Sequence, residues 1–409
     1  MKLLYVIHQF YPEFSSGTEK FLLNLSSAMQ REGHAVHVVT YTYQERDTRK
    51  RGDLLVREYS YRGIPVTSVR HAKIPIDINT AWSGPAIAEF AGNLLGRNKP
   101  DIVHLAHPMR LGGFAETAEK IGIPYILTLT DFWTICPKIN LETSSGSLCA
   151  GPRRGDECSR SCPELEQEAV RTRLRQSGHV IENATAVVAP SRFVASLFQA
   201  EIPRLKIAVI PHGIRRPRSL PSPRPYHTFD KLVFGYAGGL APHKGVHVLI
   251  SAFRAVTGTA ELRIYGDHFQ QPDYFALLKE TAGGDTRIRF CGTYSDEQLD
   301  SIFQELDILV VPSVSYETYS LSAHEALARG IPVIASAVGA IQETVQPGVC
   351  GFTVRPGDVG DLTRKLQSVM DNPEQLNALK AQISFRTFPM PEEEAYCYQR
   401  LYASLQRIN

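Results

Sequence analysis

The same alternation of short apolar runs and helical stretches is laid down twice along this chain, and that repetition restricts the fold more than any other feature. Residues 2–7 are strand-like, and a loop with Pro12 and Gly17 follows. Phe21, Leu22, Leu25, Ala28 and Met29 then recur at helical spacing up to Gly33, and residues 35–40 make a second strand. This is a βαβ unit, the opening of a parallel, doubly wound sheet. Further strands are expected at 66–69, 102–105, 125–129 and 186–188. At 210–225 the composition turns to Pro, Arg and Ser and reads as a connection. Beyond it the pattern restarts, with strands at 232–236, 262–265, 288–291, 308–311 and 333–335 and helices centred near Leu249, Leu277, Leu299, Ala326 and Leu366. The expectation is an α/β protein of two Rossmann-like, doubly wound domains facing a central cleft. The first covers 1–210, with a C-terminal helix in 389–409 packing back on it, and the second covers 211–388. Ligands of such sheets sit beyond the carboxyl ends of the strands, so function is expected there, between the domains.

A length of 409 residues suits two cores of this kind. The net charge of +2 gives no reason to expect nucleic acid as a partner. No apolar run approaches the roughly 18 residues that cross a bilayer, and the apolar core of the opening MKLLYVIHQF is too short for a signal peptide. The expected location is cytoplasmic, with peripheral contact at the inner face of a membrane left open. Arg215, Arg216, Arg218 and Arg224 form one basic cluster, which also fits a solvated linker.

The chemistry-bearing positions fall at strand ends. After the strand at 308–311 the chain turns into a helical pattern ending at Gly330, with Glu317 in the loop and Glu325 inside the helix, seven residues lying between them. Ser322 and Glu325 also fit a capping box, and Glu317 also fits a solvated loop. Gly238, Gly239 and Lys244 stand where the second half's first strand gives way to a helix, a place where backbone N–H groups and a fixed cation meet phosphate. Gly17 occupies the matching place in the first half, where the absence of a side chain lets a ligand approach the backbone. His8, His104 and His107 lie at the ends of first-half strands, where an acceptor would enter; satisfied structural histidines fit the same positions.

Four of the seven cysteines, Cys136, Cys149, Cys158 and Cys162, fall within 27 residues, separated by twelve, eight and three. Four thiolates brought together by Gly- and Pro-rich loops suit a tetrahedral structural zinc beside the acceptor side, with free thiols or a redox pair as alternatives. Cys291, Cys350 and Cys397 are expected to be ordinary core residues.

Lys244-Gly245 after a Gly-rich strand end, Ile210-Pro211-His212-Gly213 before the linker, and 317–326 followed by Ala328-Arg329-Gly330-Ile331-Pro332-Val333-Ile334-Ala335 resemble glycosyltransferase family 4, retaining enzymes of the GT-B fold. The resemblance implies transfer of a sugar from a UDP or GDP donor, without an obligatory catalytic metal, to a glycan or lipid-linked acceptor in polysaccharide or glycoconjugate biosynthesis. It implies that Lys244 contacts the donor diphosphate, Glu317 the transferred sugar and Glu325 the ribose. Gly17, Gly238, Gly239, Ser320 and Leu321 complete the donor set. His8, His107 and Thr130 fall on the acceptor side, and Asp131 positions the acceptor or caps a helix start. Two positions depart from the family pattern: Gly239 stands where many members have Arg, with Arg192 a candidate replacement, and Thr130 stands where many have His. A sugar-nucleotide epimerase and a non-catalytic sugar-nucleotide-binding protein are the competing readings.

Overall fold

The computed structural model describes residues 1–217, 231–384 and 386–406. It divides into two compact units, Met1–Gly213 with Pro391–Asn409, and Ile214–Met390.

In the first unit nine strands form one sheet. They are β1 (Lys2–Ile7), β2 (Ala35–Tyr41), β3 (Arg49–Arg51), β4 (Leu54–Tyr61), β5 (Ile64–His71), β6 (Ile102–Leu105), β7 (Tyr125–Thr128), β8 (Ala186–Ala189) and β9 (Ile207–Val209). Their order is β3-β4-β5-β2-β1-β6-β7-β8-β9. Pairing is parallel from β5 through β2 to β9, with β1 central, so that Val6 stands beside both Val39 and Leu105. β6 and β7 are buried along their whole length, which explains why they read as mostly apolar runs, broken only by His104 and Thr128. β3 and β4 extend the sheet antiparallel, and no expectation above included them. Their signal was the alternation LLVREYSY and a turn at Arg62 (φ +51°) and Gly63 (φ +81°) that suits a hairpin. A solvated edge carries too few apolar residues to stand out as a run.

The helix Gly17–Arg31 starts at a capping box in which the Ser16 N–H donates to Glu19 Oε2 at 2.7 Å, and it buries Phe21, Leu22, Leu25, Ala28 and Met29. Against it packs the C-terminal helix Pro391–Gln406; the expected end at 407–409 lies outside the described residues. Tyr402 on that helix shares a 2.7 Å hydrogen bond with His104 Nδ1, and Tyr398 one of 3.0 Å with the Thr128 hydroxyl. Glu394 accepts from the Gly213 N–H at 2.7 Å and meets His212 Nδ1 at 2.9 Å, so the Pro-His-Gly stretch is held by the C-terminal helix.

The second unit is a six-stranded parallel sheet of β10 (Leu232–Ala237), β11 (Ala260–Tyr265), β12 (Ile288–Gly292), β13 (Ile308–Val311), β14 (Val333–Ser336) and β15 (Gly351–Val354). The order β12-β11-β10-β13-β14-β15 changes direction between β10 and β13. That is the topological switch point, where the carboxyl ends of two adjacent strands diverge and leave a crevice.

Candidate functional site

At this switch point the loops after β10 and β13 meet. β10 runs into Gly238 and Gly239, and the Tyr236 hydroxyl donates to the Gly239 carbonyl at 2.6 Å, holding the turn. Lys244 ends a short 3-10 turn, Pro242–Lys244, just before the helix Val246–Arg254. After β13, Ser313 and Glu317 lie in the descending loop. Lys244 Nζ is 2.7 Å from Glu317 Oε1, and the Ser313 hydroxyl donates to the same oxygen at 2.6 Å. Glu317 is 8% exposed. Burial works to raise its pKa, but the Lys244 charge, the two hydrogen bonds and His243 outweigh it, so its carboxyl is held below the ordinary value. Burial, aided by the adjacent Lys244 charge, pushes His243 down to about 4. The result is a buried carboxylate fixed by one cation whose own side chain remains 33% exposed, hence open to a further anion.

Gly339 makes this arrangement possible. Its φ is +61°, and a Cβ there would meet the Glu317 carbonyl oxygen and stand 2.8 Å from the Glu317 nitrogen. Ser320 has the left-handed φ of +62°, and its buried hydroxyl has no partner among the described residues. Strain and an unmet hydroxyl in one residue make Ser320 a candidate site residue. Leu321 opens the helix Leu321–Leu327, and Glu325 is buried within it. The capping-box alternative for Ser322 and Glu325 does not hold: the helix begins one residue before Ser322, leaving both inside it. Ser313 and His243 escaped the sequence reading. Ser313 had a signal, a hydroxyl four residues ahead of a loop glutamate, while His243 had none beyond its place next to Lys244.

The corresponding edge of the first unit gathers the ends of β1, β6 and β7. His107 Nδ1 accepts the Met109 N–H at 3.2 Å, so Nε2 carries the proton and donates to Asp131 Oδ2 at 2.6 Å. Asp131 Oδ1 accepts the Trp133 N–H at 2.8 Å. The carboxylate is thus oriented through both oxygens while 30% exposed, and it caps no helix, because the chain continues in turns. The His8 ring lies 3.9 Å from that of His107, and burial, with the neighbouring His107 and the Arg110 charge, drives its pKa well down. His8 Nδ1 and the Oε1 of buried Glu19 have no hydrogen-bond partner among the described residues. Thr130 donates to the Ala106 carbonyl at 3.1 Å. His104 belongs elsewhere: it bridges Tyr402 and Thr128, and burial lowers it to about 3, which makes it a structural histidine.

Gly17 is exposed at the start of its helix. Arg192 is the first residue of the helix Arg192–Glu201 in the first unit, whereas Gly239 belongs to the second. Of the basic cluster, Arg216 donates to the Phe388 carbonyl at 3.3 Å, and Arg218 and Arg224 lie outside the described residues. Cys350 is buried, but Cys291 and Cys397 are exposed, contrary to expectation. Cys291 sits on the outward face of the sheet's edge strand β12, and Cys397 on the solvent side of the C-terminal helix. Among the described residues, no helix is long and apolar enough to cross a membrane.

The sequence matches two family models in succession, Glycosyltransferase Family 4 over residues 15–216 and Glycosyl transferases group 1 over 224–384. The chain belongs to the family 4 glycosyltransferases. It is 33% identical over 145 residues to the D-inositol 3-phosphate glycosyltransferase of Mycolicibacterium smegmatis, covering 35% of this chain and 33% of that one. It is 26% identical over 186 residues to the lipopolysaccharide 1,2-N-acetylglucosaminetransferase of Salmonella typhimurium, covering 42% of this chain and 49% of that one. The matches therefore span between a third and a half of these relatives' own length. Anabaena HepE, solved in complex with UDP and glucose, superposes with a TM-score of 0.71 at 18% identity, covering 99% of this chain and 100% of that one. This family 4 chain thus has the GT-B fold, with Lys244, Ser313 and Glu317 inside the group 1 match.

Proposed function

We propose that this protein is a retaining glycosyltransferase that takes a sugar from a nucleoside diphosphate donor held by the second unit and passes it to a glycan or lipid-linked acceptor held by the first. The observation that carries this reading is the Lys244–Glu317 pair at the switch point, a partly exposed cation braced against a buried carboxylate. In a front-face transfer the departing phosphate oxygen itself takes the acceptor's proton, so a protein base is dispensable. The barrier then falls chiefly through stabilisation of the charge that grows on the leaving diphosphate. Lys244 meets that charge, Glu317 binds hydroxyls of the transferred sugar, and Glu325 binds the ribose, with Gly17, Gly238, Gly239, Ser320 and Leu321 completing the donor set. No catalytic metal enters this scheme. Asp131, oriented by His107, holds the acceptor hydroxyl, with His8 and Thr130 on the same strand edge. Work in polysaccharide or glycoconjugate assembly at the cytoplasmic face of a membrane fits such an acceptor. The UDP complex of HepE makes UDP-sugars the first donors to try, ahead of GDP-sugars.

Incubation with a panel of both donor types, following nucleotide release with and without oligosaccharide acceptors, tests the reading. Release accelerated by acceptor, with the anomeric configuration kept in the product by NMR, supports it. An isomerised donor without acceptor indicates an epimerase, bound but unchanged donor indicates a binding protein, and an inverted product removes the retaining assignment.

A further inference from the structure

The clustered cysteines form no metal centre in this fold: among the described residues no group of three or more His, Cys, Asp or Glu could hold an ion, and burial raises the Cys136, Cys149 and Cys158 thiols above their ordinary value. The unmet charge lies elsewhere, on the sheet edge that carries Asp131. Arg110 follows β6 in a turn and has a left-handed φ of +68°. In a residue other than glycine that conformation costs energy and persists only where its surroundings hold it. Its Nε donates to Asn79 Oδ1 at 2.7 Å, and its Nη1 donates to the His8 carbonyl at 3.0 Å. Its guanidinium lies over the rings of Tyr41 and Tyr43, 5.6 and 5.0 Å from their centres. The Asn79 loop is itself pinned, because Trp133 Nε1 donates to the Asn79 carbonyl at 2.8 Å while Arg173 donates to the Trp133 carbonyl and stacks 4.3 Å from its ring centre. His8, Tyr41, Tyr43, Asn79 and Arg110 thus meet where β1, β2, β5 and β6 end, the edge at which such sheets bind ligands.

Every acceptor that Arg110 meets is neutral. Among the described residues it forms no ion pair, and the ionisable groups that act on it are Tyr41 and Tyr43, with no carboxylate among them. Arg70 on β5, by contrast, is paired with Glu45 at 2.5 Å. Burial is the largest influence on the Arg110 guanidinium and pushes its pKa below the ordinary value. A guanidinium nevertheless stays charged in a protein, so taking it partly out of water with no counter-charge is unfavourable. The site is open to whatever could supply one: Asn79 is exposed, and so is Tyr43, at 41%.

We propose that Arg110 binds an oxyanion, a phosphate or carboxylate group, carried by the acceptor, so that this enzyme selects an anionic acceptor over a neutral one. This rests on the reading of the first unit as the acceptor side. The planar fork of an arginine matches both kinds of oxyanion through paired N–H donors. The His8 residue whose carbonyl Arg110 holds lays its ring 3.9 Å from that of His107, which in turn orients Asp131. Anion and reacting hydroxyl are therefore bound by neighbouring groups, and the Arg110 charge offsets the repulsion that Asp131 would exert on an anionic acceptor.

Ligand-observed NMR titration of the full-length protein tests this, with UDP and GDP in excess to fill the donor side. The probes are methyl glucoside, methyl glucuronide and methyl glucoside 6-phosphate. At least one anionic probe should bind about tenfold or more tightly than the neutral one, and Arg110→Gln should remove the difference without changing nucleotide affinity. Asn79→Asp, a change of equal size in an exposed loop, sets a carboxylate on Arg110 Nε. It should raise the melting temperature and also abolish the preference, so the test stands even if Arg110→Gln does not fold. Preference for the phosphate probe marks a phosphorylated acceptor and preference for the glucuronide an acidic sugar. A polyprenyl-phosphate-linked glucose in detergent that outcompetes the soluble phosphate places that phosphate in a lipid head group. Equal binding of the three sugar probes, absence of binding by all of them, or a preference that survives either substitution would overturn the proposal. Failure of both nucleotides to bind the wild-type protein would count instead against the donor site in the second unit.

Discussion

Lys244 Nζ and Glu317 Oε1 stand 2.7 Å apart across the switch point of the second sheet, joined by a hydrogen-bonded ion pair that spans 73 positions of sequence. Neither side chain would be positioned for a donor by its own loop. The pair keeps the carboxylate ionised and the ammonium fixed, so the two substitutions should fail in different ways.

Lys244→Met removes the cation proposed to meet the leaving diphosphate. Charge-assisted hydrogen bonds are worth roughly 1.5–3 kcal/mol, and the charge on the diphosphate is greatest in the transition state. Turnover should therefore fall by about tenfold to a hundredfold while donor affinity falls less. A loss of donor affinity with kcat unchanged would mean that Lys244 serves ground-state binding.

Glu317→Gln should weaken binding of the nucleotide sugar by about tenfold yet leave affinity for the free nucleoside diphosphate almost intact, since that ligand has no sugar to lose. Calorimetric titration with both ligands checks this. Parallel weakening would place Glu317 against the diphosphate instead.

Gly339→Ala probes the same carboxylate without touching it. A methyl group there runs into the Glu317 backbone, and the φ of +61° is unfavourable for alanine, so the loop must shift. Donor affinity should drop to about the level of the Glu317 variant while the circular dichroism spectrum is preserved. Wild-type affinity would show that the loop has slack.

Asp131→Asn keeps the shape but removes the charge proposed to hold the acceptor. Donor-induced thermal stabilisation should stay at the wild-type level, because it reports binding in the second unit, while acceptor-dependent turnover falls at least about tenfold. Loss of donor binding in this variant would contradict the division of labour proposed for the two units.

Acid should destabilise the protein in two stages. His104 is lowered to about 3 by burial, so its contribution is complete above about 6.5 and is lost progressively as pH falls from there toward 3. Glu317 is also depressed, so its contribution is present above the ordinary carboxylate value and disappears as pH drops through its lower folded value. Urea melts from pH 7 to 4 should show falling stability, and His104→Gln, which cannot titrate, should flatten the upper part of that fall. An unchanged slope would mean that other buried histidines dominate.

Much of the scaffold was legible in the chain itself. Parallel strands buried on both faces are near-continuous apolar runs, which is why β10 and β13 stand out, and Gly238, Lys244, Glu317 and Glu325 were singled out by their places in the loops and helices that follow such runs. Edge strands β3 and β4 escaped notice because half their surface faces water. Which titratable groups become partners was decided only by tertiary structure, because sheet order brings together loops that sequence separates. His104 shows this most plainly. Its neighbours in the chain put it in the same class as His107, yet the C-terminal helix presents Tyr402 to one and leaves the other with Asp131. Apolar runs in strands and spacing of three or four in helices are local, and so the sequence by itself marked the inner strands of both sheets and their ends, while the outer strands β3, β4, β9 and β15 went unmarked. The pairing of Lys244 with Glu317, of His107 with Asp131 and of Arg173 with Trp133 depends on strand order and burial, which exist only once the chain has folded.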